Sequence, residues 1–454
     1  YGLNRNLIDR ALEADVDTII TCDNGIAAAK EIEYGKALGM TIIVTDHHEV
    51  PYKENEAGRR YILPPADAVV DPRQEGCEYP FKGLCGAAVA YKLIEALSEV
   101  NGQDVADLDY LLENVAIATV ADVMDLTEEN RILVKQGLEM LTRTSNLGLR
   151  ALIQCIGLEG KKIQAYHIGF ILAPCLNASG KLDTAKRALA LLRAKTEREA
   201  DMLAGDLKAL NESRRDMTDR VVDEAMAKVE QTDIREDKVL VIYLPDCHES
   251  LAGLVAGRVR ENYYRPVFVL TDSEDGVKGS GRSIESYSMY EELTGCGDLL
   301  TKFGGHPMAA GLSLDKENVE KFKRRLNDQC TLSEEELTEK VVIDMELPFT
   351  AITEHFIEEL ECLEPFGKGN AKPVFAARGV IMQHVKIIGK NKNVAKATAI
   401  DASGNRMEAI CFRDAQEFAE QCERNNGKMS ITFYPGINEF RGERQIQIVI
   451  THYR

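Results

Sequence analysis

The chain has 454 residues, 44% of them hydrophobic and 28% charged, with a formal net charge of −19. That length implies two to four domains, and the composition is that of a globular chain rather than a disordered or fibrous one. No apolar run reaches the roughly 20 residues of a membrane helix and no signal-peptide pattern opens the chain, while 11 scattered cysteines without a CxxC pair exclude a disulfide scaffold and a structural zinc site. The expectation is a monomeric cytoplasmic protein.

In chain order, Leu7–Ala14 reads as a short helix and Thr18-Ile-Ile-Thr-Cys22 as a buried strand ending at Asp23-Asn24-Gly25. A helix over Ala27–Leu38 follows, stopped by Gly39. Thr41-Ile-Ile-Val-Thr45 is the next strand, ending at Asp46-His47-His48, and Asp67-Ala-Val-Val70 is the third, ending at Asp71-Pro72. Strands alternating with helices at this spacing imply a doubly wound parallel sheet. The 3.6-residue apolar period then marks helices at Cys85–Val100, Val105–Val120, Glu128–Leu141 and Leu149–Ile156. From Thr184 to Glu230 a charged stretch with one Gly and no Pro reads as one or two long, solvated connector helices.

A second α/β domain spans Asp237 to Gln329, with strand signals at Val239–Tyr243 and Pro266–Leu270. The last segment changes character. Strand-like runs at Val374–Arg378, Met382–Ile388, Val394–Ile400, Arg406–Phe412, Met429–Tyr434 and Gln445–Thr451, with a helix near Asp414–Glu423, fit a small barrel of the OB type. The acidic sum of the whole chain disfavours a nucleic-acid partner, but Leu363–Arg454 carries 14 Lys/Arg against 9 Asp/Glu.

The chemistry lies at the strand ends. Asp23 and Asp46-His47-His48 fall at the carboxyl ends of consecutive parallel strands, where the crevice of such a sheet opens. A mixture of carboxylate and imidazole suits manganese, magnesium or zinc, and two such ions activate a water and stabilise a leaving oxygen in phosphoryl displacement. A single Asp at a strand end is ordinarily a helix N-cap. A vicinal His pair directly after an Asp has no such explanation. Asp122 closes the apolar helix Ala118-Thr-Val-Ala-Asp122, where the helix dipole disfavours a negative charge and a cation is its natural partner. Asp125 reads as solvated.

These residues resemble a known family. Thr21-Cys-Asp-Asn-Gly25, Val44-Thr-Asp-His-His48 and Thr119-Val-Ala-Asp122 are similar to the second, third and fourth motifs of the DHH phosphoesterases. Leu176-Asn-Ala-Ser-Gly-Lys181, Gly279-Ser-Gly-Arg-Ser283, Gly304-Gly-His-Pro-Met-Ala-Ala-Gly311 and Leu363-Glu-Pro-Phe-Gly-Lys-Gly-Asn370 resemble elements of the RecJ branch, the single-strand-specific DNA exonucleases. The resemblance implies a 5′→3′ exonuclease working with two Mn2+ or Mg2+ ions in DNA recombination and repair. It implies a DHH domain over 1–183, a connector over 184–232, a DHH-associated domain over 233–332 and an OB-type domain over 333–454. Asp23, His47 and Asp122 would ligate metal, and Asp46, His48 and Asp122 would serve catalysis. Asn177, Lys181, Ser280, Arg282 and His306 would hold DNA. Phe375, Phe412, Phe433, Tyr434 and Phe440 are candidates for stacking single-stranded bases. Single-stranded DNA is the implied substrate, and a helicase and a single-strand-binding protein are the implied partners.

Three departures stand beside that likeness. The family's first, Asp-rich motif has no counterpart before Asp23, because Asp15-Val-Asp17 precedes its strand and lies at the wrong end of the sheet. A chain that starts at Tyr1 rather than Met is therefore read as starting inside a domain. Lys181 stands where the family usually has Arg, and Pro307 interrupts the Gly-Gly-His run. Two other readings stay open: a DHH phosphodiesterase for short oligonucleotides or cyclic dinucleotides, and a DNA-binding relative without turnover. A nucleotide-cofactor enzyme is set aside, since neither GxxxxGK[ST] nor GxGxxG follows the first strands.

Overall fold

The computed structural model describes residues 2–55, 58–177, 182–389, 392–412, 414–440 and 443–454. They form two compact units. The first comprises residues 1–174, 194–200 and 342–454; the second comprises 175–193 and 201–341.

In the first unit, α1 (Arg5–Glu13) starts where the Asn4 side chain accepts a hydrogen bond from the Leu7 N–H. It is followed by β1 (Thr18–Ile20), α2 (Ala29–Ala37) and β2 (Thr41–Thr45). A hairpin of β3 (Tyr52–Asn55) and β4 (Gly58–Tyr61) precedes β5 (Ala68–Val70). The sheet is parallel, in the order β1-β2-β5, with Thr18 opposite Thr41 and Ile43 opposite Ala68. Ile8, Ile32, Met40, Ile42 and Val44 form its core against the helices. The expected five-residue buried strand is a three-residue edge instead, with Ile20 61% exposed. Its β-branched run specifies extended backbone, but burial depends on neighbours that the run does not encode. The hairpin was not foreseen because Lys53, Glu54, Arg59 and Arg60 leave it no apolar face to signal a period of two.

Helices follow: α3 (Gly86–Val100), α4 (Leu112–Ala121), α5 (Glu128–Thr142) and α6 (Leu147–Cys155), then α7 (Ala165–His167), a π-helical turn at Ile168–Leu172, and α8 (Ala173–Leu176). The helix expected over Val105–Val120 is broken. Val105–Leu111 winds as a 3-10 turn capped by Asp104 and fully buries no residue, with Leu108 and Leu111 only partly packed against the neighbouring core, a shallow contact for sustaining an α-helix. The α-helix proper begins at Leu112 and ends with Asp122 as its C-cap. It lies tightly on α5, where a Cβ on Gly137 would come 2.2 Å from the Leu112 carbonyl oxygen.

The second unit holds α9 (Leu182–Leu192) and most of the 35-residue α10 (Glu197–Gln231). The solvated connector expected there is only half right. Ala225 and Val229 of α10 are fully buried with Leu240 and Val255, so its C-terminal half walls a core. Next come β6 (Leu240–Tyr243), α11 (Glu249–Tyr263), β7 (Val267–Ser273), β8 (Gly276–Arg282), α12 (Met289–Gly295), β9 (Leu300–His306), β10 (Ala309–Leu314) and α13 (Val319–Gln329). The sheet order is β6-β7-β8-β10-β9; β6 and β7 are parallel and the other pairs antiparallel.

The C-terminal segment belongs to the first unit. It contains β11 (Met345–Glu346), α14 (Glu354–Glu361), β12 (Phe375–Ile388), β13 (Val394–Ile400), β14 (Arg406–Cys411), α15 (Ala415–Arg424), β15 (Lys428–Phe440) and β16 (Glu443–Tyr453). The order β12-β13-β14-β16-β15, with β15 pairing back onto β12, closes a five-stranded OB barrel. The two strands expected over 374–388 are one long strand whose register shifts near Gly379 and His384, both at positive φ. Such bulges let one strand curl through both sides of a small barrel. Phe375 and Phe433 are core residues and unavailable for stacking bases, whereas Phe412 is 61% exposed; the Phe440 side chain lies outside the described residues.

The close approach of α5 to α4 gives a direct prediction. Gly137→Ala must push α4 away at Leu112 and Ala116, and should destabilise the fold by about 1–3 kcal/mol in urea denaturation followed by circular dichroism.

Candidate metal centre

The parallel pairing of β1 and β2 continues past the strands. Thr21 N–H donates to Ile43 O and Asp23 N–H to Thr45 O, while the Thr45 hydroxyl donates to Thr21 O at 2.8 Å. This extension sets Asp23 beside His47, three and two residues beyond their strands. Asp23 adopts φ +61, a left-handed conformation that costs a non-glycine residue free energy and clusters at functional sites. Gly86 at the start of α3 lies under it, where a Cβ would sit 2.5 Å from the Asp23 Cβ and Oδ1.

His47 is the centre of the arrangement. It is 6% exposed, and its Nε2 lies 2.9 Å from Asp23 Oδ1 and 3.4 Å from Asp122 Oδ2. These approaches are close but not aligned as hydrogen bonds, so Nε2 is a buried nitrogen without a satisfied partner. The Asp23 carboxylate holds the imidazole pKa above its ordinary value against the opposing effect of burial, with Asp122 and Asp46 adding to it. Asp122 arrives from the end of α4, and burial pushes its own pKa up. Ligand atoms of Asp23, His47 and His48 all lie within 4.8 Å of one another.

Asp46 does not open onto this cluster. It is 1% exposed and accepts hydrogen bonds from the Ile26 and His47 N–H groups at 3.0 and 2.8 Å, and contacts His48 Nδ1 at 2.7 Å. Burial alone would raise its pKa; the Ile26, His48 and His47 hydrogen bonds outweigh that and lower it. Asp46 therefore stays ionised and fixes the His48 ring by one nitrogen, leaving the other directed away.

The donor set fits a divalent cation. Two half-exposed carboxylates converge on a buried imidazole nitrogen that has no aligned partner, and a carboxylate–imidazole set of this kind suits manganese or magnesium. Binding would require a neutral imidazole, so the raised His47 pKa opposes metal binding at low pH. Asp71, recognised in the sequence only as a strand end, belongs to the surroundings. It is 2% exposed, its Oδ2 is buried without a hydrogen-bond partner, and burial, with Asp46 nearby, raises its pKa. Its place at the end of β5 was the available signal.

In the second unit, Ala309 of β10 pairs with Arg282 on one side and His306 on the other. Laterally paired residues point to one face, so Arg282, His306 and, two residues from Arg282, Ser280 share a face of that sheet. Arg282 is half-buried, donates to Gly281 O at 2.8 Å and to the Ser280 hydroxyl at 3.3 Å, and pairs with no carboxylate among the described residues. It packs against Gly253 of α11, where a Cβ would meet Nη2 at 2.8 Å. Asn177 is exposed and its carbonyl accepts from Arg214; Lys181 lies outside the described residues.

Comparison with known proteins follows the same outline. Residues 3–119 match the DHH family N-terminal domain, 236–332 the DHHA1 domain and 343–452 the RecJ OB domain. The chain is 36% identical to the single-stranded-DNA-specific exonuclease RecJ of Bacillus subtilis, covering 99% of this chain and 55% of that protein. It is 33% identical to the protein of the same name from Salmonella typhimurium, covering 99% of this chain and 79% of the relative. The crystal structure of RecJ in complex with Mn2+ from Thermus thermophilus matches with a TM-score of 0.81 at 27% identity, over 99% of this chain and 63% of that one. A second structure from that organism is a complex with Mg2+. The chain thus spans about half the length of the Bacillus relative, and on the strength of the near-complete matches in sequence it belongs to the RecJ family of DHH proteins.

Proposed function

We propose that this chain is the nuclease core of a 5′→3′ exonuclease specific for single-stranded DNA, acting in DNA recombination and repair. The observation that carries the reading is the buried, unsatisfied His47 Nε2 between the Asp23 and Asp122 carboxylates, in a family whose relatives are named for that activity. Asp23, His47 and Asp122 would hold the divalent ions. When bound, a pair of such ions supplies an activated water and charge stabilisation at the leaving oxygen. His48, fixed through Nδ1 by Asp46, would present its other nitrogen to the scissile phosphate. Asp46 was expected among the catalytic residues, but its enclosed carboxylate supports a positioning role through His48.

Ser280, Arg282 and His306 would take backbone phosphates, a role favoured for Arg282 by its half-buried guanidinium with no carboxylate partner among the described residues, since the planar fork matches phosphate oxygens. Asn177 and Lys181 are proposed with them on the strength of the motif. In the barrel, exposed Phe412 remains a candidate for base stacking, as does Tyr434, over whose ring the Lys372 ammonium lies at 4.7 Å. We take the functional division of the chain to be 1–183, 184–232, 233–332 and 333–454. No helix among the described residues is long and apolar enough to cross a membrane; a cytoplasmic monomer acting with a helicase and a single-strand-binding protein is the setting we propose.

With Mn2+ or Mg2+, the full-length polypeptide should release mononucleotides from the 5′ end of a long labelled single strand and spare duplex. Equal digestion of duplex, or digestion undiminished by a chelator, would sink the reading. Faster cleavage of a dinucleotide than of the long strand would favour the short-oligonucleotide alternative. A second prediction concerns geometry: Gly86→Ala displaces the Asp23 carboxylate and should weaken Mn2+ binding roughly 10–100-fold by titration calorimetry, with little change in single-strand affinity measured in chelator.

A further inference from the structure

The proposed metal ligand Asp122 is followed by a loop that the Val123 and Met124 N–H groups tie back to the Val120 and Thr119 carbonyls, and that Asn130 tethers at the Asp125 carbonyl. Val123 adopts φ +55 and is 61% exposed, an unfavourable conformation for a β-branched residue. Strained positions persist only where their surroundings over-determine them. Beyond the local bonds at the end of α4, a distant stretch of chain just ahead of the barrel, Leu363–Asn370, packs on Asp125, Leu126 and Thr127.

The contacts are specific and dense. Leu126 N–H donates to the Lys368 carbonyl at 2.7 Å, and Lys368 Nζ lies 3.1 Å from Asp125 Oδ1. Gly369 sits at φ +73, where any side chain is strained, and a Cβ there would come 3.0 Å from the Asp125 Cβ and 3.2 Å from Thr127 Cγ2. A Cβ on Gly367 would come 2.7 Å from Leu126 Cδ1, and Leu126 is buried. The stretch is itself braced. Asn370 Nδ2 donates to Leu363 O and Pro365 O, and Arg131 of α5 donates to the carbonyls of Cys362 and Glu364. Lys162 and the Gln164 amide both reach the Glu364 carboxylate. These backbone and glycine contacts fix position without supplying a ligand.

We infer that Leu363–Asn370 is a positioning clamp for the Asp122 loop, so that metal affinity depends on a segment more than 240 residues away in sequence. Gly369 and the Lys368 carbonyl hold Asp125 and Leu126, and through them the turn that aims the Asp122 carboxylate at His47. The inference rests on the metal-site reading above, and extends it to residues that touch neither metal nor DNA.

The test compares Gly369→Ala with Gly379→Ala. Gly379 has a similar positive φ, +64, but lies in β12, where a Cβ would meet only the end of the Lys428 side chain. Two readouts are taken on the whole chain: Mn2+ affinity by calorimetry, and hydrogen exchange at the Leu126 amide without metal. Gly369→Ala should weaken Mn2+ binding by about tenfold or more and speed Leu126 exchange, while Gly379→Ala changes neither beyond its effect on melting temperature. Wild-type Mn2+ affinity and Leu126 protection in Gly369→Ala would overturn the clamp, as would equal losses in Gly379→Ala. If the unaltered chain binds no Mn2+, the metal-site reading falls, and the metal-free exchange comparison still decides whether the clamp exists.

Discussion

One buried imidazole organises this protein. His47 stands at the end of β2 with two carboxylates close to its inner nitrogen and no aligned partner for it. Burying a polar atom unsatisfied costs free energy, and burial raises the Asp122 pKa, with His47 opposing that rise and the Asp23 carboxylate adding to it. The arrangement persists because each participant is fixed independently. Continued pairing of β1 and β2 places Asp23, the end of α4 places Asp122, and four contacts from Ile26, His47 and His48 lock Asp46 behind them. A divalent cation bound as proposed would relieve these tensions together.

The scaffold achieves such proximity with backbone rather than side chains. Gly86 lets α3 pass directly beneath Asp23, Gly137 lets α5 press on the helix that delivers Asp122, and Gly367 and Gly369 let the 363–370 stretch reach the following loop. At Gly86, Gly137 and Gly367 the approach is nearer than a Cβ would permit, and at Gly369 it is tight and at positive φ. Displacing any of these segments would move one of the proposed ligands, whose orientation depends on such outer supports.

Within the second unit the logic differs. Antiparallel register puts Arg282 and His306 on either side of Ala309, two strands apart on one face, and α11 encloses the guanidinium at Gly253. An arginine held half-buried, with no carboxylate partner among the described residues, supports the phosphate-binding role proposed for it.

Much of this was legible in residue order. The β-branched runs Thr18–Ile20 and Thr41–Thr45 specified parallel strands whose ends carry Asp23 and Asp46-His47-His48, and local chemistry of this kind survives without knowledge of the fold. Apolar periodicity located α3, α5 and the barrel strands for the same reason. What it did not reveal were properties that belong to neighbours. Ile20 is exposed at the edge of the sheet formed by the described residues, Phe375 and Phe433 are buried because β15 closes onto β12, and Val105–Leu111 packs only partly on its neighbours, through Leu108 and Leu111. The division of labour between Asp46 and His47 was equally hidden: adjacent in sequence, one is enclosed by hydrogen bonds and the other faces carboxylates. The sequence by itself determined which chemical groups exist and on which strand ends they stand. Only the tertiary structure decided which of them converge, because convergence is set by long-range packing, and Leu363–Asn370 against the Asp122 loop is its clearest case.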